Sequence, residues 1–297
     1  MFSGLSAFPL TPMNTAGPDD VTFVRLIENL AEANVDSIGA LGSTGSYAYL
    51  NRAERARIAR LAVQHAGPVP VMVGIGATST REVLHLAEDA QQAGAKALLL
   101  APVSYQPLNS EEVYELYRNV SHELSVPLCV YDNPRTTRFE FSDELHARIA
   151  HLPGVASIKI PGVPTDPQAA KERVERLRQQ LPPHVSIGIS GDPLAVTGLN
   201  AGCELWYSVL GGLFPRTALA LTRAALAGNS EQAEQLSREL TPLWEMFHRH
   251  GSARVVAAAA ELLGHVEAPC LPAPLQALNH TERTTLSALL DELTLPQ

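Results

Sequence analysis

The chain has 297 residues, 45% of them hydrophobic, and a formal net charge of −9. That length allows one large domain or two ordinary ones, with enough apolar residues for a substantial core. The acidic balance and the lack of any dense basic cluster argue against nucleic acid or an anionic membrane surface as partners. Cys129, Cys203 and Cys270 are odd in number and form no CxxC pair, so they read as reduced thiols of a cytoplasmic protein. No basic region precedes the first apolar stretch and no apolar run reaches membrane-span length, so neither a signal peptide nor a spanning helix is expected.

Along the chain, β-branched or aliphatic runs lie at about 4–10, 36–41, 69–74, 96–101, 127–132, 155–160, 185–190 and 204–210. Their spacing of roughly thirty residues is that of one βα unit. Helical patterns fall between them, as at Arg52 to His65, Thr80 to Ala93 and Glu111 to Glu123, with Asn51 and Asn109 as N-cap candidates. Three segments, starting at Ala33, Ala93 and Ala201, share one plan. A helix ends, Asn34, Gly94 or Gly202 takes a left-handed turn, and a strand begins. Eight nearly continuous apolar strands predict a closed (β/α)8 TIM barrel over residues 1–225. Beyond it, Ser230 to His248, Ser252 to Leu263 and Thr281 to Leu293 read as a C-terminal helical extension, 226–297, packed on the barrel.

Of 22 basic residues only Lys96, Lys159 and Lys171 are lysine. Lys159 lies in the strand-like run Val155-Ala156-Ser157-Ile158-Lys159-Ile160. A guanidinium cannot serve as a neutral amine, whereas a desolvated ammonium can lose its proton and attack a carbonyl. The competing reading is a strand lysine that points outward or forms an ion pair. In a barrel of this kind the site forms at the C-terminal ends of the strands. Lys159 falls near the end of the sixth run, Tyr131 at the end of the fifth strand, and Gly42-Ser43-Thr44-Gly45 follows the second, so three polar features meet on one rim. The glycine-flanked turn can present backbone N–H groups and hydroxyls to an anion, or can simply be a tight turn. Tyr131 is either a proton shuttle or a core tyrosine with a satisfied hydroxyl.

Other features point away from cofactors and metals. Gly74-x-Gly76 is followed by Ser79 where a dinucleotide fingerprint needs glycine. The ten histidines are scattered, and His248 and His250, two apart on a helix, face different ways. Arg52, Arg55, Arg57 and Arg60 read as one solvated helix face with ion pairs.

Taken in order, Phe8-Pro9-Leu10-Thr11-Pro12, Gly42-Ser43-Thr44-Gly45, Tyr131-Asp132-Asn133-Pro134, Ser157-Ile158-Lys159 and Ser190-Gly191-Asp192 resemble motifs of one family. It is the dihydrodipicolinate synthase / N-acetylneuraminate lyase family of class I aldolases, and the likeness covers essentially the whole chain. The resemblance implies a cytoplasmic homotetramer in which Lys159 forms an imine with pyruvate or another 2-keto acid, with no cofactor and no metal. It makes Tyr131 the proton-transferring phenol, and gives Ser43 and Thr44, with the turn at Gly45, the carboxylate and a hydroxyl relay. Ser104 stands where the family's synthases carry a relay tyrosine that often reaches a neighbouring subunit, and Tyr105 lies one place along. Thr136 stands where they carry an arginine for the second substrate's carboxylate, with Arg135 and Arg138 nearby. Ser208, in the eighth run, is a further substrate-binding candidate. Ser46 and Ile160 replace residues that are commonly acidic. These departures favour a lyase, aldolase or dehydratase on another keto acid. The alternatives are a synthase with an altered second-substrate site, or a keto-acid-binding protein without turnover.

Overall fold

The computed structural model describes residues 1–293 and 295. Eight parallel strands close into a barrel: β1 (Gly4–Ala7), β2 (Ser37–Ala40), β3 (Val71–Gly74), β4 (Ala97–Leu100), β5 (Leu128–Tyr131), β6 (Val155–Ile160), β7 (Ser186–Ile189) and β8 (Leu205–Ser208). Each strand pairs with its neighbour in sequence, and β1 closes the ring by pairing with both β8 and β2. All eight predicted strands are present; the sixth, Val155–Ile160, keeps its expected bounds, and the other seven are trimmed where the chain turns into a loop.

Side chains alternate across each strand. Leu99, Cys129, Tyr131, Leu205 and Tyr207 point inward and pack with Phe8, Met72, Ala97 and Ala101 in one interior cluster. Leu98, Val130, Ile158 and Trp206 point outward, into a larger core shared with the surrounding helices. Both faces are thus dry, which explains why the strands read as unbroken apolar runs. The wide Tyr207 ring fits inside the barrel because β7 offers Gly188 beside it. A Cβ there would lie 2.2 Å from the ring.

The helices follow local chemistry. Asn51 and Asn109 each form a complete capping box, with Glu54 and Glu112, at the starts of Arg52–His65 and Ser110–Ser121. The three repeated helix ends turn as predicted, with φ of 56° at Asn34, 92° at Gly94 and 107° at Gly202. One helical segment differs from expectation. Ser230 to His248 is two helices, Ser230–Glu239 and Thr241–His250, because Pro242 lacks an N–H and its ring blocks continuation of the preceding turn. A two-stranded hairpin, Met13–Asn14 with Gly17–Pro18, was also not foreseen, since two-residue strands leave no periodicity.

Arg55 corrects the reading of a wholly solvated arginine face. Arg52 and Arg57 do pair at the surface with Asp89 and Asp20. Arg55 is instead buried, donates to the carbonyl oxygens of Gly74 and Gly76 at 2.9 Å each, and lies over the Tyr47 ring. It ties down the loop after β3. Among the described residues, no helix is long and apolar enough to cross a membrane.

Candidate active site

Lys159 is the penultimate residue of β6, on the inner face, in register with Tyr131 of β5 on one side and Gly188 of β7 on the other. It is 5% exposed. Its Nζ lies 3.8 Å from the ring centre of Phe8, 4.2 Å from that of Tyr131 and 5.3 Å from that of Tyr207. These three rings desolvate the amine. Ile158 and Ile160, its neighbours along the strand, do not, because strand neighbours of an inward residue point outward. Phe8 reaches this position because Gly42 leaves room; a Cβ on Gly42 would lie 2.6 Å from the ring.

Among the described residues, no carboxylate oxygen lies within 4 Å of Nζ. Burial therefore dominates and brings the ammonium pKa down to about 7, opposed by the negative potential of Cys129 and Asp192. Asp192 is itself buried and fully engaged. Its carboxylate accepts from Trp206 Nε1 at 3.0 Å, from the Val209 N–H at 3.2 Å and from the Leu210 N–H at 2.7 Å. Burial raises its pKa to about 6 against those hydrogen bonds. It braces the loop after β8 and biases the lysine from a distance.

Beneath the amine, the Tyr207 hydroxyl lies 2.6 Å from Ser157 Oγ and 3.2 Å from Cys129 Sγ. This contact fixes the floor of the pocket. Above it, the Tyr131 hydroxyl lies 3.1 Å from Ser43 Oγ and accepts from Asn133 Nδ2 at 2.9 Å. Burial raises the Tyr131 pKa, while its hydrogen bonds with Ser43 and Asn133 lower it. Thr44 is buried beside Ser43, and Gly45 packs tightly, with Leu41 N and Thr11 Oγ1 each about 3.2 Å or less from where a Cβ would sit. Ser46 closes the turn with φ 54°, donating its N–H to the Ser43 carbonyl at 3.1 Å.

Lys159, Tyr131 and Ser43 thus form one connected group, with Thr44 and Gly45 in the adjoining turn. The remaining candidates lie elsewhere. Ser104 is half-buried in the loop after β4, and Tyr105 is 91% exposed. Neither is a hydrogen-bond partner of Tyr131. Thr136 is exposed on the one-turn helix Pro134–Thr137. Ser208 is buried, and its Oγ accepts from the Gly211 N–H at 2.8 Å, within its own turn.

Arg135 lines a cleft of about 640 Å³ between the loops after β5, β6 and β7 and the helix Thr241–His250, together with Thr165, Glu245, His248 and Arg249. His248 faces this cleft, while His250 lies 3.3 Å from Glu282, so the two do point apart as their spacing requires. Sequence reasoning gave no role to Asn133, Phe8 or Tyr207. Inward parity on β8 pointed to Tyr207; Phe8 and Asn133 stood within the motifs that carry the resemblance, without a role of their own. Among the described residues, no three His, Cys, Asp or Glu side chains cluster closely enough to hold a metal ion.

A family model described as the dihydrodipicolinate synthetase family matches residues 1–293. The chain belongs to the dihydrodipicolinate synthetase family. Within that family it is 32% identical over 293 residues to the 4-hydroxy-tetrahydrodipicolinate synthase of Teredinibacter turnerae, covering 98% of both. The crystal structure of a dihydrodipicolinate synthase from Agrobacterium tumefaciens matches it with a TM-score of 0.94 and 46% identity, over 98% of each chain. A chloride-inhibited dihydrodipicolinate synthase from Acinetobacter baumannii, solved with pyruvate, matches with a TM-score of 0.89 and 25% identity, over 99% of this chain and 100% of that one. The chain is accordingly a TIM-barrel aldolase of the dihydrodipicolinate synthetase family, a lyase.

Proposed function

We propose that this lyase acts on pyruvate or a related 2-keto acid through a Schiff base on Lys159. The observation that carries the reading is an amine buried among three aromatic rings with no ion-pair partner among the described residues. With a pKa of about 7, about half of the amine is neutral at pH 7. An ordinary lysine of pKa ~10.4 is neutral in only about one molecule in 2,500. The neutral amine adds to the keto carbon. The carbinolamine then loses water, and the protonated imine accepts the electron pair released in aldol cleavage or dehydration, or supplies the enamine for condensation.

Tyr131 moves the protons for these steps. The turn after β2, with the Ser43 and Thr44 hydroxyls and its backbone N–H groups, holds the keto-acid carboxylate. The distal end of the substrate extends toward the cleft bearing Arg135, His248 and Arg249, a set suited to an anionic group. Ser104, Tyr105, Thr136 and Ser208 remain proposed contacts at the rim. No cofactor takes part in this scheme. A cytoplasmic homotetramer is the assembly that the resemblance supports. One related structure describes a monomeric dihydrodipicolinate synthase variant.

The names of the relatives favour a second reading, 4-hydroxy-tetrahydrodipicolinate synthase, with the second substrate met by Arg135 instead of an arginine at position 136. One experiment tests both. Incubation with pyruvate, reduction with borohydride and digestion should give a pyruvyl adduct on the peptide that carries Lys159. Turnover is then measured with aspartate semialdehyde plus pyruvate and with a panel of 4-hydroxy-2-keto acids. An unmodified Lys159 peptide sinks the Schiff-base reading. Turnover of aspartate semialdehyde selects the synthase, and cleavage of a hydroxy keto acid selects the lyase.

A further inference from the structure

We propose that Asn133 is a positioning residue that sets the direction of proton movement through Tyr131. The inference rests on the Schiff-base reading above. The backbone of Asn133 is held at its carbonyl. Its carbonyl accepts from the Thr136 and Thr137 N–H groups at 3.1 and 3.0 Å and from Thr137 Oγ1 at 3.0 Å. Pro134 follows and restricts its ψ. The side chain is thereby delivered to the Tyr131 oxygen, with Nδ2 at 2.9 Å and Ser43 Oγ at 3.5 Å from the same nitrogen.

An amide nitrogen donates and does not accept. With Asn133 donating to its oxygen, we assign the Tyr131 hydrogen to Ser43 Oγ, 3.1 Å away, a contact in which either oxygen can donate. The Ser43 hydrogen is then left to point into the pocket. The chain runs one way, from the amide through the phenol and the serine hydroxyl to the substrate. A hydroxyl in place of the amide would accept as well as donate, and would let the proton leave in two directions.

The step balances. As the carbinolamine C–O bond breaks, its oxygen takes the Ser43 proton and departs as water. Ser43 takes the Tyr131 proton, and the nitrogen lone pair forms the C=N bond. The products are an iminium and a phenolate, opposite charges created beside each other and holding the pocket at its starting net charge. The Tyr131 ring centre lies 4.2 Å from Nζ, and the Asn133 N–H stabilises the phenolate. When the proton returns, both transfers reverse.

Asn133→Asp reverses the polarity at the same shape. Above the carboxyl pKa it can only accept, so it competes for the phenol hydrogen and opposes the phenolate. Below that pKa its O–H donates again. The measured quantity is the rate of reductive trapping of saturating pyruvate on Lys159 as a function of pH, alongside pyruvate affinity and thermal midpoint. Asn133→Asp should trap on the order of 10²-fold slower near neutrality and recover toward the wild-type rate as pH falls. Asn133→Ala should be about tenfold slower with no recovery at low pH. Affinity and thermal midpoint should stay near wild type in both. An Asn133→Asp profile parallel to wild type, or losses matched by equal losses of affinity or folding, overturns the inference. Absence of any wild-type adduct would instead sink the Schiff-base reading, so the two failures are distinct.

Discussion

Lys159→Met is expected to fold, to keep or raise its thermal midpoint, and to lose turnover by at least roughly 10³-fold. The stability half follows from the pocket. An amine held in a dry site without a carboxylate partner is costly, and a thioether of similar length carries no charge to desolvate. The activity half follows from the chemistry, because without the amine no covalent intermediate forms. Lys159→Arg should be equally inactive. Its guanidinium keeps the charge and can lie on the Phe8 and Tyr131 rings, yet it never becomes a neutral nucleophile. Steady-state kinetics and a melting curve on both variants check this. An active Lys159→Arg enzyme would remove the lysine from the mechanism.

Tyr131→Phe should lower kcat by roughly 10² to 10⁴-fold, the usual range for a lost proton-transfer group. The ring remains over Nζ at about the wild-type distance of 4.2 Å, so the amine stays desolvated. Borohydride should therefore still label Lys159 with pyruvate, more slowly than in wild type. The variant also leaves Ser43 Oγ and Asn133 Nδ2 without their shared partner, so a modest stability loss of about 1–2 kcal/mol is expected. A variant that keeps full kcat would make Tyr131 a wall of the pocket and nothing more. These two variants separate the roles, since one removes the covalent step and the other slows it.

The barrel was readable because its strands are dry on both faces and leave unbroken apolar runs at regular spacing. The Lys159–Tyr131–Ser43 group was readable for a related reason. A lysine inside an apolar strand, a tyrosine at a strand end and a glycine-flanked turn all leave local marks, and strand ends on one rim must converge. Asn133 stood in the Tyr131-Asp132-Asn133-Pro134 motif, but its role was not legible there. Its contact with Tyr131 depends on how the chain breaks from β5 into the single turn Pro134–Thr137, which is set by φ and ψ at one residue. The aromatic enclosure of Lys159 was equally hidden. Phe8 lies beyond β1 and Tyr207 on β8, far from Lys159 in sequence, and only barrel closure brings their rings together. Tyr105 is 91% exposed in the single chain, and its loop leaves no periodic mark in the sequence that gives its depth.

The pH dependence of covalent capture is the most direct test of a neutral Lys159. The enzyme is incubated with saturating pyruvate and cyanoborohydride from about pH 5 to about pH 10, and the rate of adduct formation on the Lys159 peptide is followed. Burial lowers this amine's pKa, so the rate should climb about tenfold per pH unit on the acid side and level off through a midpoint near about 7. A midpoint near ~10.4, the value for an ordinary solvated lysine, or capture on Lys96 or Lys171 in its place, would contradict it.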